Sequence, residues 1–182
     1  MKEITLRIKT FGDPVLRKKS ISVKNVDSVH KQILSKMARL MYDSGGIGLA
    51  APQVGINEAM IVVDIGNSLY KLINPKIAKK SGNQVLEEGC LSVPGVCIKV
   101  KRAKEVLVQA LDDSGKQVNI EAQGLLACVF QHEIDHLHGK LIVDYASFLD
   151  KLKIKNKLKK LREKAKIEKL PESENKSCEL QL

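Results

Sequence analysis

Between Val26 and Asp43 the apolar side chains Val29, Ile33, Met37, Leu40 and Met41 recur at helical spacing, which predicts an amphipathic helix with one buried face. Gly45 and Gly46 supply its stop. The next stretch, Gly46-Ile47-Gly48-Leu49-Ala50-Ala51-Pro52-Gln53, is too small and Gly-rich for regular structure and is expected to be a close-packed loop. Strand-like patterns follow at Ala59–Ile65 and Leu69–Asn74, with a turn at Gly66-Asn67, and again at Val96–Val100, Glu105–Leu111 and Gln117–Ala122. Asp112-Asp113-Ser114-Gly115 reads as a hairpin turn. Gly124–His138 predicts a second helix, stopped at Gly139, and Ser147–Lys169 a third. Strands grouped between helices, without βα alternation, indicate an α+β fold. The expected arrangement is antiparallel strands packed around the second helix, with one helix N-terminal and one C-terminal to them.

The chain has 182 residues, enough for one domain with a real core. No apolar run approaches the roughly 20 residues of a membrane span. Met1-Lys2-Glu3-Ile4 lacks a signal-peptide pattern, so a cytoplasmic protein is expected. Cys90, Cys97, Cys128 and Cys178 show no framework spacing, and a conspicuous Cys in a reducing compartment is first a ligand or nucleophile candidate. The net charge of +10 is unevenly placed: residues 151–169 hold ten Lys/Arg against two Glu. The chain therefore divides into a body at 1–150, a basic helix at 151–169 and a polar tail at 170–182, expected to be disordered. Ile154, Leu158, Leu161 and Ala165 form one apolar stripe on that helix, which should dock on the body or on a partner.

The second helix carries His132-Glu133-Ile134-Asp135-His136. Two His at i and i+4 lie one above the other on one helix face and can bind the same ion. A Glu beside the first can reach an activated water as a general base. A third ligand is needed. His138 points to another side of the helix, and Glu163 and Glu168 sit in the basic helix with the pattern of surface residues. Cys90, in Glu87-Glu88-Gly89-Cys90-Leu91-Ser92, and Cys128, four residues before His132, both qualify; periodicity does not decide between them.

Three segments together, GIGLAAPQ at 46–53, EGCLS at 88–92 and QHEIDH at 131–136, resemble in order and separation the three motifs of peptide deformylases, and the resemblance runs from about Phe11 to Tyr145. It implies a hydrolase that removes the N-formyl group from the formyl-methionine of nascent polypeptides. It implies Cys90, His132 and His136 as metal ligands, with water in the fourth position, and Glu133 as acid/base. Gln53 and the Leu91 N–H are implied to hold the formyl oxygen. Ile47, Leu86, Leu125, Cys128 and Val129 match positions lining the methionine pocket, and Gly48 is small enough for substrate backbone to approach. The implied ion is Fe(II), with Zn, Ni or Co able to occupy the site; the sequence alone would suggest zinc. Cys97 and Lys101 stand where relatives often differ and are read as neutral strand positions, or as contacts to the peptide beyond its first residue. His30 and His138 read as surface residues, and Asp135 and Arg102 as a pair that could orient the site. Two rival readings stand beside it: an HExxH peptidase, which needs a third His or Glu in place of Cys90, and a basic ribosome- or RNA-associated protein with a vestigial metal site.

Overall fold

The computed structural model describes residues 5–167. Helix α1 (Ser28–Asp43) opens on Asp27, whose side chain accepts from the Val29 and His30 backbone N–H groups. Its Ile33, Leu34, Met37, Ala38 and Met41 are buried. Val29, expected on that face, is 49% exposed. His30 is not a free surface residue: its Nδ1 lies 2.7 Å from Asp27 Oδ1 and completes the cap.

Five strands form one antiparallel sheet in the order β1-β2-β3-β6-β7: β1 (Gly48–Ala50), β2 (Met60–Val63), β3 (Tyr70–Ser81), β6 (Glu105–Leu111) and β7 (Gln117–Gln123). A separate hairpin pairs β4 (Gln84–Glu88) with β5 (Ile98–Arg102). The Gly-rich segment is thus not irregular throughout. Gly48–Ala50 pairs with Ile61–Val63, and Ala51–Val54 makes a 3-10 turn. Small side chains are what allow this strand to lie fully buried against both α1 and α2. Strand β3 also outruns the expectation that it ends at Asn74. Pro75 cannot donate a ladder hydrogen bond, and the register shifts between Ile73 and Lys76 absorb it. Asn74 takes a positive φ of 52°, and its side chain is fixed by two hydrogen bonds to Val23. Strand β4 escaped the pattern because its outward side chains include Val85, 61% exposed.

Helix α2 (Gly124–Leu137) crosses the sheet centre and buries Ala127, Val129, Phe130 and Ile134 against it. Helix α1 covers β1 and β2 with a second apolar cluster. A third cluster, including Leu16, Val93, Val96, Ile98, Val100 and Leu141, lies under the β4–β5 hairpin. Helix α3 (Phe148–Ile167) closes that cluster with Ile154, Leu158 and Leu161, and Ala165 is buried. The stripe therefore docks on the body. Glu163 is exposed on this helix, while Glu168, Cys178 and the tail expected at 170–182 lie outside the described residues. Among the described residues no helix is long and apolar enough to cross a membrane.

Candidate active site

Helix α2 presents His132 and His136 on successive turns, and the turn after β4 carries Cys90 up to them. His136 Nε2 lies 3.3 Å from Cys90 Sγ and 3.2 Å from His132 Nε2. Ligand bonds of about 2.0–2.3 Å in a tetrahedral set put neighbouring donors roughly 3.3–3.6 Å apart, so one ion fits among these atoms. Among the described residues this trio is the group of metal-ligating type brought together. Cys128 is not part of it. Its thiol donates to Glu88 Oε1 at 3.1 Å, and burial, with the Glu88 charge beside it, pushes it up to about 12. His138 is likewise apart, its Nδ1 2.8 Å from the Ile134 carbonyl at the end of α2.

Burial disfavours charge on both imidazoles. At His136 it holds the ring well below its ordinary pKa, so the ring is neutral and its lone pair free. At His132 burial is overcome by the hydrogen bonds its ring donates to Cys90 and Glu88, which raise the pKa. A dication among the three donors would take the place of that proton.

A carboxylate chain backs the trio. Glu88 Oε2 lies 2.9 Å from His132 Nδ1, which fixes Nε2 as the inward nitrogen. Arg102 donates to both Glu88 oxygens, at 2.7 and 2.9 Å, and to Asp135 Oδ2 at 2.5 Å. Tyr145 donates to the same Asp135 oxygen at 2.7 Å and lies with its ring 4.8 Å from the guanidinium carbon. Burial works against the Glu88 charge, but the hydrogen bonds from Arg102 and His132 prevail and hold its carboxyl at about 2. The Asp135–Arg102 pair was anticipated. The hub role of Glu88 was not, although it stands inside the EGCLS motif. The signal available was an acid two residues from a ligand candidate; only the fold shows which His it meets.

Glu133 is 3% exposed, and its Oε2 has no hydrogen-bond partner among the described residues. Burial raises its carboxyl to about 7, near where a proton carrier works best. Gly48 makes room for it: a Cβ there would collide with Glu133 Oε1 and come within 2.9 Å of Val129 Cγ1. Gln53 is buried in the 3-10 turn after β1. Its Oε1 accepts from the Ala50 N–H at 2.7 Å, which orients the amide so that Nε2 faces Ser92 Oγ at 3.3 Å and Cys90 Sγ at 3.6 Å. No hydrogen bond engages the Leu91 backbone N–H among the described residues.

These groups open onto a cavity of about 500 Å³. Its walls include Ile47, Gly48, Leu86, Leu125, Cys128 and Val129, all proposed from the sequence, and also Gly45, Pro94 and Gly95, which were not. His136, 1% exposed, is not among the lining residues. Cys97 and Lys101 are absent from it; Lys101 lines a different cleft on the far side of α2. Lys157 of α3 donates to the Gly95 carbonyl, so the C-terminal helix braces one wall.

A family model described as polypeptide deformylase matches residues 5–152. The chain belongs to the polypeptide deformylase family. The peptide deformylase of Syntrophomonas wolfei is 52% identical over 137 residues, covering 75% of this chain and 90% of that protein. That of Halothermothrix orenii is 49% identical over 141 residues, covering 76% and 92%. Among solved structures, a peptide deformylase from Plasmodium falciparum superposes with a TM-score of 0.85 at 37% identity, covering 91% of this chain and all of that one. The Thermus thermophilus enzyme gives 0.84 at 34% identity, covering 88% and 99%. As a deformylase the chain is a metal-dependent hydrolase that removes the formyl group from the N-terminal formyl-methionine of newly made proteins, releasing formate. Neither rival reading survives: the chain is an enzyme, and not of the peptidase type.

Proposed function

We propose that Cys90, His132 and His136 hold the catalytic ion, that Glu133 moves the proton, and that Gln53 and the Leu91 N–H receive the formyl oxygen. The observation that carries this is the donor triangle, with 3.2 and 3.3 Å edges, opening beside an orphaned buried carboxylate. A divalent ion held there supplies Lewis acidity, which makes water a nucleophile at neutral pH. Glu133 accepts a proton from the attacking water and returns it to the departing amine; a carboxyl near 7 suits both directions. Charge growing on the formyl oxygen is met by the Gln53 amide N–H, held in aim by its Ala50 anchor, and by the Leu91 N–H. The methionine side chain fits between Ile47, Leu86, Leu125, Cys128 and Val129, with Gly48 beside the peptide backbone. The formyl carbon bears only hydrogen, so a close-walled site rejects larger acyl groups by size.

The thiolate cancels one charge of the ion and favours a soft-tolerant metal, and Fe(II) is the ion proposed in the cell, with Zn, Ni or Co able to replace it. The enzyme acts in the cytoplasm on nascent chains. Outward lysines of α3 such as Lys155 and Lys159 draw it to the ribosome, whose exit is rich in RNA phosphate. Like the Synechococcus elongatus relative solved in complex with actinonin, the site is expected to take that compound. The test is anaerobic hydrolysis of a formyl-methionyl peptide with metal analysis of the same sample. Formate release tracking one equivalent of ion is expected. Activity undiminished after the ion is stripped would refute the ligand set.

A further inference from the structure

On the far side of α2 from the active-site cavity lies a second cleft, of about 810 Å³, between the end of α2, strand β3 and the β4–β5 hairpin. Lys76, Lys80, Lys101 and Lys140 stand on its walls and are exposed. Arg102 on its floor is already paired with Glu88 and with Asp135, the one carboxylate of the lining, so the positive charge of the cleft comes from the four lysines. Asp135 is already held by Arg102 and Tyr145. Among the described residues none of the four lysines forms an ion pair, whereas Lys71 and Lys153 elsewhere do. The cleft does not end there. Lys76 and His138 also line a second trough, of about 460 Å³, which adds Lys19. The result is a concave cationic track across two adjoining depressions, which share no lining residue with the substrate cavity and are lined by no residue of α3.

We propose that this track binds the phosphodiester backbone of RNA. A single phosphate would be served by one or two of these cations. Five lysines, none ion-paired among the described residues, are distributed over two joined depressions and match a polymer with regularly spaced charge. Flexible Lys ammoniums, without a bidentate fork and without free aromatic platforms for bases, suit backbone contact without sequence preference. The site rests on the deformylase reading only for its setting, since nascent formyl-methionyl chains emerge beside RNA. It gives the enzyme a second anchoring face, on the side of α2 opposite the substrate cavity, so that RNA contact leaves the entrance for the chain terminus open.

The test uses the full metal-loaded chain and a fluorescein-labelled oligouridylate, titrated by anisotropy across a salt series. Each single-strand phosphate contact contributes about 0.7 to the slope of log K against log salt. Converting Lys76, Lys80 and Lys140 together to Ala is expected to reduce that slope by about 2 and to weaken binding at low salt at least about tenfold. Hydrolysis of a short formyl-methionyl peptide should be unchanged, so loss of RNA binding and loss of deformylation are read separately. The singles Lys80→Ala and Lys140→Ala, each expected to lose about 0.7 of slope, carry the test if the triple variant misfolds. A control set, Lys155→Glu with Lys159→Glu, probes α3. The proposal is overturned if only the α3 set weakens binding. It is equally overturned if the parent chain ignores oligouridylate while binding vesicles of anionic phospholipid.

Discussion

Replacing Arg102 by Met tests the carboxylate chain behind the proposed metal ligands. Arg102 and Glu88 are both nearly fully buried, and the guanidinium supplies two of the hydrogen bonds that keep Glu88 ionised. Removing one partner of such a pair costs about 3–5 kcal/mol, because the other charge is left buried. The Glu88 carboxyl sits at about 2 against an ordinary 4.5, a net shift worth about 3 kcal/mol to which Arg102 and His132 both contribute against burial. Its folded pKa lies below its unfolded one, so this stabilisation is fully present above about 4.5 and is lost as the pH falls towards 2. In the variant burial acts on Glu88 with less opposition, so the acid loss should begin at higher pH. Met fills similar volume without a charge, which keeps the cavity term small. Glu88 also orients His132, so metal affinity should fall about 10–100-fold. Urea unfolding of the nickel-loaded protein at several pH values, with chelator competition for the affinity, measures both. Adding Glu88→Gln to Arg102→Met should recover part of the stability, because the stranded charge is gone. A single variant within about 0.5 kcal/mol of the parent, with unchanged metal affinity, would refute the reasoning.

Four further outcomes follow from the site. Cys90→Ala, His132→Ala or His136→Ala should strip tightly held ion and activity together, while Cys128→Ala keeps most of both; metal analysis beside the peptide assay decides, and the reverse pattern would exchange the two cysteines. Glu133→Gln should retain the ion yet lose about 10²–10⁴ in kcat, and Gln53→Ala about 10²–10³, read by steady-state kinetics on the metal-quantified protein. Gly48→Ala should lower kcat with the ion still bound, since the new methyl displaces Glu133; near-parental turnover would mean that the carboxylate is not held where it must act. Truncation after Asp150 uncovers the third apolar cluster and should cost roughly 3–5 kcal/mol for three partly buried side chains, so a shortened chain as stable as the parent would show that α3 only decorates the body. For that reason charge reversal at Lys155 and Lys159, which spares the stripe, is the cleaner probe of ribosome co-sedimentation.

Much of this enzyme was legible along the chain. Helical spacing located α1 and α2, and the i, i+4 spacing put His132 and His136 on one face because a helix turn stacks those side chains. Motif order carried the reaction. Local pattern failed where the decisive neighbour is distant in sequence. The segment Gly48–Ala50 looked too small for a strand, yet it is small because α1 and α2 press on it from both sides. Cys90 and Cys128 were equal candidates by spacing. The hairpin return of β4 brings Cys90 Sγ to 3.3 Å from His136, while the face of α2 that carries Cys128 turns it to Glu88. The charge on Glu88 likewise depends on Arg102, fourteen residues on; the hairpin pairs Arg102 with Gln84 and Glu88 with Ile98, and the long Arg side chain spans the offset. Helix periodicity and turn chemistry are written in neighbouring residues, so one chain in isolation reveals them. Ligand choice, carboxylate pairing and cavity walls are contacts between elements, and those exist only once burial has brought the elements together.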